Sequence, residues 1–153
     1  SSDRPTRQAI HMVTAAMWGL RSTCTRLQVG CVITSEDMTQ VLSIGYNGPA
    51  RGIHKEQCTG VPGNCGCLHA EENAIIKLRT AEPSLRLFST VIPCLMCAQR
   101  IIQRGIKHVL YQNEYRSTEG SDLLVRQGVE VSRVVDFRSL RDPLLQWIPN
   151  QTD

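Results

Sequence analysis

The segment RLFSTVIPCLMCAQRIIQRGIKHVLYQ, residues 86–112, decides the fold of this chain. Its two ends, RLFSTV (86–91) and HVLYQ (108–112), are short and rich in β-branched and aromatic residues, so they predict two strands. The intervening CLMCAQRIIQRG (94–105) predicts a helix that ends at Gly105. Because a strand, a helix and a strand in this order form a crossover connection, we expect the two strands to be parallel.

The segments on either side extend this unit into a larger sheet. The further predicted strands cover residues 28–34, 40–47 and 129–135. The further predicted helices cover residues 4–20, with Pro5 in the first turn, then 69–79 and 121–127, and a helix or extended arm at 137–147. The polar SEDM between the first two strands predicts an antiparallel hairpin. We therefore predict an α/β fold, a three-layer α/β/α sandwich around a mixed five-stranded sheet, in a single domain over residues 1–153.

The composition limits the class of partner. No apolar run reaches the roughly 18 residues of a membrane span, and the N-terminal SSDRPTRQAI has no apolar stretch like that of a signal peptide. We therefore expect a cytoplasmic protein without a membrane partner. The net charge is only +3 and aromatic residues make up 5% of the chain, which argues against a stacking surface for nucleic acid.

Seven cysteines are the most informative part of the composition. Their odd number and the absence of a secretion signal argue against a framework of disulfides. In a reducing compartment, clustered cysteines more often bind a metal or take part in chemistry. Cys31 is an exception, because it lies inside an apolar strand and is expected to be a small buried hydrophobic residue.

Two predicted helix starts carry a possible metal site. Cys94 and Cys97 lie three residues apart at the start of one helix, where the helix dipole favours thiolates. His69 supplies a nitrogen from the start of another helix. Two thiolates and one imidazole with a fourth position open form a catalytic zinc set.

Glu71 follows His69 by two residues, roughly 200° around an ideal helix. In a first turn, however, side chains lean toward the helix N-terminus, so both groups can approach a metal there. We predict that Glu71 is the proton shuttle and not a ligand. His69-Ala70-Glu71 with Pro93-Cys94-Leu95-Met96-Cys97 is the signature of zinc nucleobase deaminases. The alternative is a redox C-x-x-C with an unrelated histidine, which would make Pro93, His69 and Glu71 coincidences.

The chain resembles the deoxycytidylate (dCMP) deaminase family of the cytidine deaminase-like fold, over roughly residues 8–133. The resemblance is carried by STCTRLQVGCVI (22–33), GYNGPARG (45–52), HAEENAI (69–75), STVIPCLMC (89–97) and GIKHVLYQNEY (105–115). It implies hydrolytic conversion of dCMP to dUMP and ammonia, a step that supplies thymidylate synthesis. It also implies a homo-oligomer, a hexamer, in which neighbouring subunits complete the pocket.

The resemblance implies a role for particular residues. His69, Cys94 and Cys97 become the zinc ligands, and Glu71 becomes the acid and base. The residues expected at the substrate are Asn47, Arg26, Ala70, Thr90 and Tyr115. Asn47 would hold the sugar, although YNG is also ordinary turn chemistry. A nucleotide monophosphate needs a cation, for which Arg26 is the first candidate and Arg51 and Arg116 are weaker ones.

The remaining cysteines suggest a second metal. A loop rich in glycine, proline and cysteine is predicted at about residues 48–67. Several members of the family that the chain resembles hold a structural zinc in this region, and such an ion would order the loop. The expected ligands are Cys24, His54, Cys58 and Cys65. Cys67 is the alternate, because Cys65 and Cys67 point in opposite directions if the chain is extended. Free thiols or one disulfide are the alternative to a second zinc.

Ala50 departs from the family pattern. Members that respond to dCTP and dTTP have a proline at this position of GYNG-x-Pro, so control by nucleoside triphosphates is not expected to carry over. Three other functions stay open. These are deamination of another cytosine nucleotide, deamination of a tRNA adenosine, which PCLMC also resembles, and a non-catalytic zinc-binding assembly module.

Overall fold

A computed structural model describes residues 4–53, 58–62 and 65–135. Within these residues the chain forms four helices and five strands in the predicted order. They are α1 (Arg7–Gly19), β1 (Gly30–Ser35), β2 (Val41–Tyr46), α2 (Ala70–Lys77), β3 (Leu85–Val91), α3 (Leu95–Arg104), β4 (His108–Asn113), α4 (Glu119–Arg126) and β5 (Glu130–Arg133). The predicted arm at 137–147 lies outside the described residues.

The strands form one mixed sheet in the order β2-β1-β3-β4-β5. β1 pairs antiparallel with both β2 and β3, whereas β3, β4 and β5 are parallel. The parallel part follows from the crossover helices α3 and α4, each of which connects one strand to its neighbour. The predicted hairpin and the predicted five-stranded mixed sheet are both confirmed.

Helices cover both faces of the sheet. On one face, Met12 and Val13 of α1 pack with Val32, Phe88 and Leu110. On the other face, α2, α3 and α4 contribute a second cluster, which includes Ala74, Ile101 and Leu124 together with Ile33 and Leu87. Adjacent strand residues such as Val32 and Ile33 belong to different clusters because side chains alternate across a strand. The three-layer α/β/α arrangement is therefore confirmed.

The start of α1 differs from the prediction. The helix begins at Arg7 and Thr6 is its N-cap, with the Thr6 hydroxyl accepting a hydrogen bond from the Ala9 N–H at 3.1 Å. Pro5 therefore precedes the helix, and its predicted place in the first turn is wrong. A threonine N-cap satisfies a helix N–H group, which proline at the first position cannot do.

No helix in the described residues is both long enough and apolar enough to span a membrane.

Two glycines let the helices approach the backbone closely. A Cβ at Gly45 of β2 would collide with the Ala70 carbonyl oxygen in α2. A Cβ at Gly120 of α4 would collide with the Pro93 carbonyl oxygen just before α3. These contacts set the positions of the two helix starts, α2 and α3, that carry the predicted site.

Candidate functional site

The first residues of α2 and α3 meet at one edge of the sheet. His69 is the N-cap of α2 and Cys94 is the N-cap of α3, and both have extended backbone conformations. Just before His69, the Leu68 N–H donates to the Gly48 carbonyl at 2.8 Å, and the Gly48 N–H donates to the Leu68 carbonyl at 3.0 Å. This pair of hydrogen bonds fixes the chain that presents His69.

Three potential metal ligands come together at these helix starts. His69 Nδ1 lies 3.5 Å from Cys94 Sγ and 3.3 Å from Cys97 Sγ. Tetrahedral zinc with bonds of about 2.3 Å to sulfur and about 2.0 Å to nitrogen separates these atoms by roughly 3.5 Å. The set therefore fits zinc, with a fourth position left for water or substrate.

The two thiols of this cluster have very different pKa values. The pKa of Cys94 is lowered to about 3, chiefly because the Cys97 thiol donates a hydrogen bond to it. For the same reason the pKa of Cys97 is raised far above its usual range. The Cys94 thiolate in turn raises the pKa of His69. A metal that binds here must displace the remaining thiol proton, as is usual for cysteine ligands.

Glu71 lies beside the cluster and is only 5% exposed. It occupies the first turn of α2, two residues after His69. Burial raises the pKa of its carboxyl group to about 7. Its carboxylate does not belong to the close group of ligand atoms formed by His69, Cys94 and Cys97. A carboxyl group with a pKa near neutrality can both accept and release a proton during a reaction.

A cavity of about 560 Å³ opens next to these residues, a size typical of small-molecule sites. It is lined by His69, Ala70, Glu71 and Cys94 from the two helix starts. Its apolar wall includes Leu27, Val29, Val91 and Ile92. The predicted residue Ala70 therefore lies at the cavity, between the histidine and the buried carboxyl group.

Two arginines flank one aromatic ring in the cavity wall. The guanidinium carbon of Arg26 lies 5.8 Å from the ring centroid of Tyr115, and that of Arg116 lies 5.4 Å from it. All three residues line the cavity. Arg51, the other predicted cation, is exposed and does not line it.

Asn47 lines the cavity and also supports its wall. Its Oδ1 accepts the Val29 N–H at 2.8 Å, and its Nδ2 donates to the Leu27 carbonyl at 2.6 Å. The Ser22 hydroxyl donates to the Asn47 carbonyl at 2.7 Å. An asparagine amide has two hydrogens, so one remains for a ligand.

Thr90 is the predicted substrate residue that the structure does not bring into the cavity wall. It is 6% exposed, and its hydroxyl accepts the Gly30 N–H at 3.2 Å. This hydrogen bond joins β3 to the start of β1. Thr90 therefore braces two strands behind the site.

A second cluster contains four thiols, those of Cys24, Cys58, Cys65 and Cys67, whose sulfur atoms all lie within 4.8 Å of one another. His54, expected among the ligands, lies outside the described residues. Cys67, expected only as an alternate, belongs to the cluster. The expectation that Cys65 and Cys67 diverge assumed an extended chain. Gly66 between them instead has a φ of 86°, which turns the chain so that both thiols face the same point.

Among the lining residues that were not predicted, Glu72 and Arg100 form an ion pair with each other. Glu72 Oε1 accepts the His69 N–H at 2.9 Å, which is half of a capping box. The spacing of His69 and Glu72 fits that motif. The sequence alone did not indicate this capping box, because histidine is not among the residues that usually begin one.

Comparisons with known proteins agree with this geometry. The family model for the cytidine and deoxycytidylate deaminase zinc-binding region matches residues 4–113. Deoxycytidylate deaminase of Saccharomyces cerevisiae is 35% identical over 142 residues, which cover 84% of this chain and 45% of that protein. ComE operon protein 2 of Bacillus subtilis is 35% identical over 131 residues, covering 80% of this chain and 68% of that protein.

A solved structure is similar over most of the chain. The crystal structure of dCMP deaminase from the cyanophage S-TIM5, in complex with dCMP and dUMP, has a TM-score of 0.76 and 36% sequence identity. The match covers 87% of this chain and 100% of that one. Against the yeast relative, by contrast, this chain spans less than half of the other protein's length.

Proposed function

The chain belongs to the cytidine and deoxycytidylate deaminase family, and from this premise we propose that it hydrolyses dCMP to dUMP and ammonia, supplying dUMP for thymidylate synthesis. One observation carries the proposal. A His-Cys-Cys ligand set and a buried carboxyl group lie together beside a cavity large enough for a nucleotide, which His69, Glu71 and Cys94 line. The cyanophage dCMP deaminase that binds dCMP and dUMP shares this fold.

The chemistry divides between the metal and Glu71. Zinc bound by His69, Cys94 and Cys97 would lower the pKa of a bound water to about 7. Water adds to C4 of cytosine and the C4–N bond breaks, so the exocyclic amine leaves as ammonia. The Glu71 carboxylate takes one proton from the water and delivers it to N3 of the ring as the oxygen adds to C4. It then carries the second proton from the C4 hydroxyl to the amine, so that a C4 carbonyl forms as ammonia leaves. Its pKa of about 7 allows both transfers near neutral pH.

The cavity wall accounts for the rest of the nucleotide. We assign the phosphate to Arg26, supported by Arg116, because both guanidinium groups line the cavity beside Tyr115. The remaining amide hydrogen of Asn47 suits a sugar hydroxyl. The apolar side chains of Leu27 and Val29 suit the face of the base.

We propose that the four-thiol cluster holds a second, structural zinc. Four thiolates complete a closed tetrahedral site without His54. Cys24 and Cys67 also line the cavity, so the ion would brace the segments that carry Arg26 and His69. Binding at this site would add to the free energy of folding.

The assembly and location also belong to the proposal. We propose a single deaminase domain over residues 1–153, which assembles into a hexamer, in the cytoplasm. The one continuous sheet supports a single domain. All seven cysteines are free thiols, which suits a reducing compartment. Molecular mass in solution by light scattering tests the hexamer, and a monomer would contradict it.

The substrate is tested by comparing zinc-loaded chain on several candidates. Ammonia release would be followed with dCMP, CMP, deoxycytidine and a tRNA anticodon stem-loop that contains adenosine. We expect the highest kcat/KM with dCMP, because the arginines bind a phosphate and the cavity encloses one nucleotide. Equal or higher kcat/KM with the stem-loop would contradict the proposal.

A further inference from the structure

Glu72 connects the two helix starts that carry the metal ligands. One of its oxygens, Oε1, accepts the backbone N–H of His69 at 2.9 Å. The other, Oε2, lies 2.9 Å from Nη2 of Arg100 in α3. A single carboxylate therefore holds the N-cap of α2 with one oxygen and the side chain of α3 with the other.

Arg100 continues the connection into the α3 backbone. Its Nη1 donates to the Met96 carbonyl at 3.1 Å. Met96 lies between Cys94 and Cys97, the two thiol ligands. An unbroken series of polar contacts thus leads from the backbone at His69 to the backbone between the two cysteines.

The pair is more protected than an ordinary surface ion pair. The Glu72 side chain is 14% exposed and the Arg100 side chain is 39% exposed, and both line the cavity. A charged group that accepts or donates two fixed hydrogen bonds has a defined position. The contacts are also directed at backbone atoms next to the ligands, and not at the ligand side chains themselves.

We propose that Glu72 and Arg100 form a clamp that sets the spacing between His69 and the Cys94–Cys97 pair, and thereby the affinity for the catalytic metal. The two are positioning residues. They act through the backbone next to the ligands and are not members of the ligand group itself. The inference rests on the metal centre of the proposed function, but not on the identity of the substrate.

The competing explanation is a simple helix cap with an ion pair. Such a contact would stabilise the fold without affecting metal binding. Thr6 provides a matched control, because its side chain caps α1 on the opposite face of the sheet through one hydrogen bond. Thr6→Ala should lower stability and leave the affinity for zinc unchanged.

The test is zinc affinity, measured by competition with a chelator on the full chain. Removing a residue that orients a metal ligand typically lowers metal affinity by about 10- to 100-fold, and we expect a loss of this size for Glu72→Ala. Arg100→Met should show a smaller loss, and Glu72→Gln the smallest, because glutamine can still accept the His69 N–H. The double variant Glu72→Ala/Arg100→Met should be no worse than Glu72→Ala alone, since both changes break the same series of contacts.

Cys97→Ser removes one ligand of the His69 site. The zinc that this variant fails to bind therefore identifies the zinc that the wild-type chain holds at the His69 site. Zinc at the four-thiol cluster is an internal reference that Glu72→Ala should leave unchanged. Equal zinc affinity at the His69 site in wild type, Glu72→Ala and Thr6→Ala would overturn the clamp. If Glu72→Ala does not fold, Arg100→Met decides, and an affinity equal to wild type overturns the proposal. A wild-type chain that binds zinc here but leaves dCMP intact would contradict the proposed function and leave the clamp standing.

Discussion

Glu71 and Glu72 are neighbours in α2, yet their surroundings give them different chemistry. Glu71 is buried next to the ligand cluster, and burial raises its pKa to about 7. Glu72 has a cationic partner, Arg100, and a backbone N–H donor at His69. One carboxyl group is therefore suited to proton transfer, whereas the other is suited to a fixed structural contact.

Arg26 is the residue that should determine the preference for a phosphorylated substrate. Arg26→Ala removes the guanidinium group that we propose for the phosphate, and hydrogen bonds to charged groups contribute about 1.5–3 kcal/mol. We therefore expect KM for dCMP to rise by about 10- to 100-fold, with little change for deoxycytidine. Steady-state kinetics on both substrates measure this.

Arg51→Ala is the matched control, because Arg51 is an exposed arginine that does not line the cavity. It should leave both KM values at the wild-type level. An Arg26→Ala enzyme with the wild-type KM for dCMP would remove Arg26 from the phosphate site and favour Arg116.

The residue types at the site were predictable from the sequence, but some of their positions were not. His69, Glu71, Cys94 and Cys97 follow from a fixed spacing at two helix starts. The place of Cys67 depends on the left-handed conformation of Gly66, and a residue spacing does not reveal a backbone angle. Thr90 faces a strand partner, Gly30, because of strand pairing, which becomes visible only in three dimensions.

Among the helices and strands, α4 should be sensitive to substitution in its first turn. Gly120 packs against the Pro93 carbonyl oxygen and the Cys94 backbone, so Gly120→Ala must push α4 away from the start of α3. Overpacking of this kind typically costs about 1–3 kcal/mol. We expect a lower free energy of unfolding in urea and a lower affinity for zinc.

Ser121→Ala is the control for α4, since it places an alanine one residue later without adding an atom against that backbone, and it removes only the hydrogen bond from the Ser121 hydroxyl to the Thr118 carbonyl. It should unfold at nearly the wild-type urea concentration. Gly120→Ala with unchanged stability and unchanged zinc content would show that α4 does not set the position of the PCLMC segment.

The turn between β1 and β2 should lose stability in acid. The hydroxyl groups of Thr39 and Ser35 donate to Asp37, which lowers the pKa of its carboxyl group. A carboxyl group whose pKa is lower in the folded state stabilises the fold above its unfolded pKa, about 3.9 for aspartate. That contribution is lost as the pH falls through the lower, folded pKa.

We therefore expect the wild-type chain to lose more unfolding free energy between about pH 6 and about pH 3 than Asp37→Asn does. Chemical denaturation at several pH values measures the difference. Asp122→Asn is the comparison, because Asp122 is an exposed aspartate that lies in α4 and not in this turn. Parallel curves for wild type and Asp37→Asn would contradict the role of Asp37.

The existence and order of the elements could be predicted because long apolar and polar patterns fix them. The strand-helix-strand unit of β3, α3 and β4 follows directly from its pattern, and so do the two parallel pairings. The antiparallel pairing of β1 with β3 was not specified. It depends on which strand lies beside which, and no local pattern encodes that choice.

For the whole molecule, the number of metal ions distinguishes two zinc sites from one. We expect two zinc ions per chain by elemental analysis, because two separate ligand sets are complete in the described residues. Cys58→Ser should leave one zinc and a lower unfolding temperature, since a lost ligand opens a closed site. Cys58 does not line the cavity, so any loss of activity would come through the loop.

Cys31→Ser is the comparison for this count. Cys31 is a buried thiol outside both ligand sets, so the variant should keep two zinc ions even if its stability falls. A wild-type chain with one zinc ion would contradict the second site and leave Cys24, Cys58, Cys65 and Cys67 as free thiols.

The central claim is that Glu71 moves the proton in a zinc-dependent deamination. Its most direct test is Glu71→Gln, which keeps the size of the side chain and removes the proton-accepting carboxylate. With dCMP turnover followed as loss of cytosine absorbance, we expect kcat to fall by at least about 100-fold while zinc content stays at the wild-type level. Turnover at the wild-type rate with zinc retained would contradict the claim.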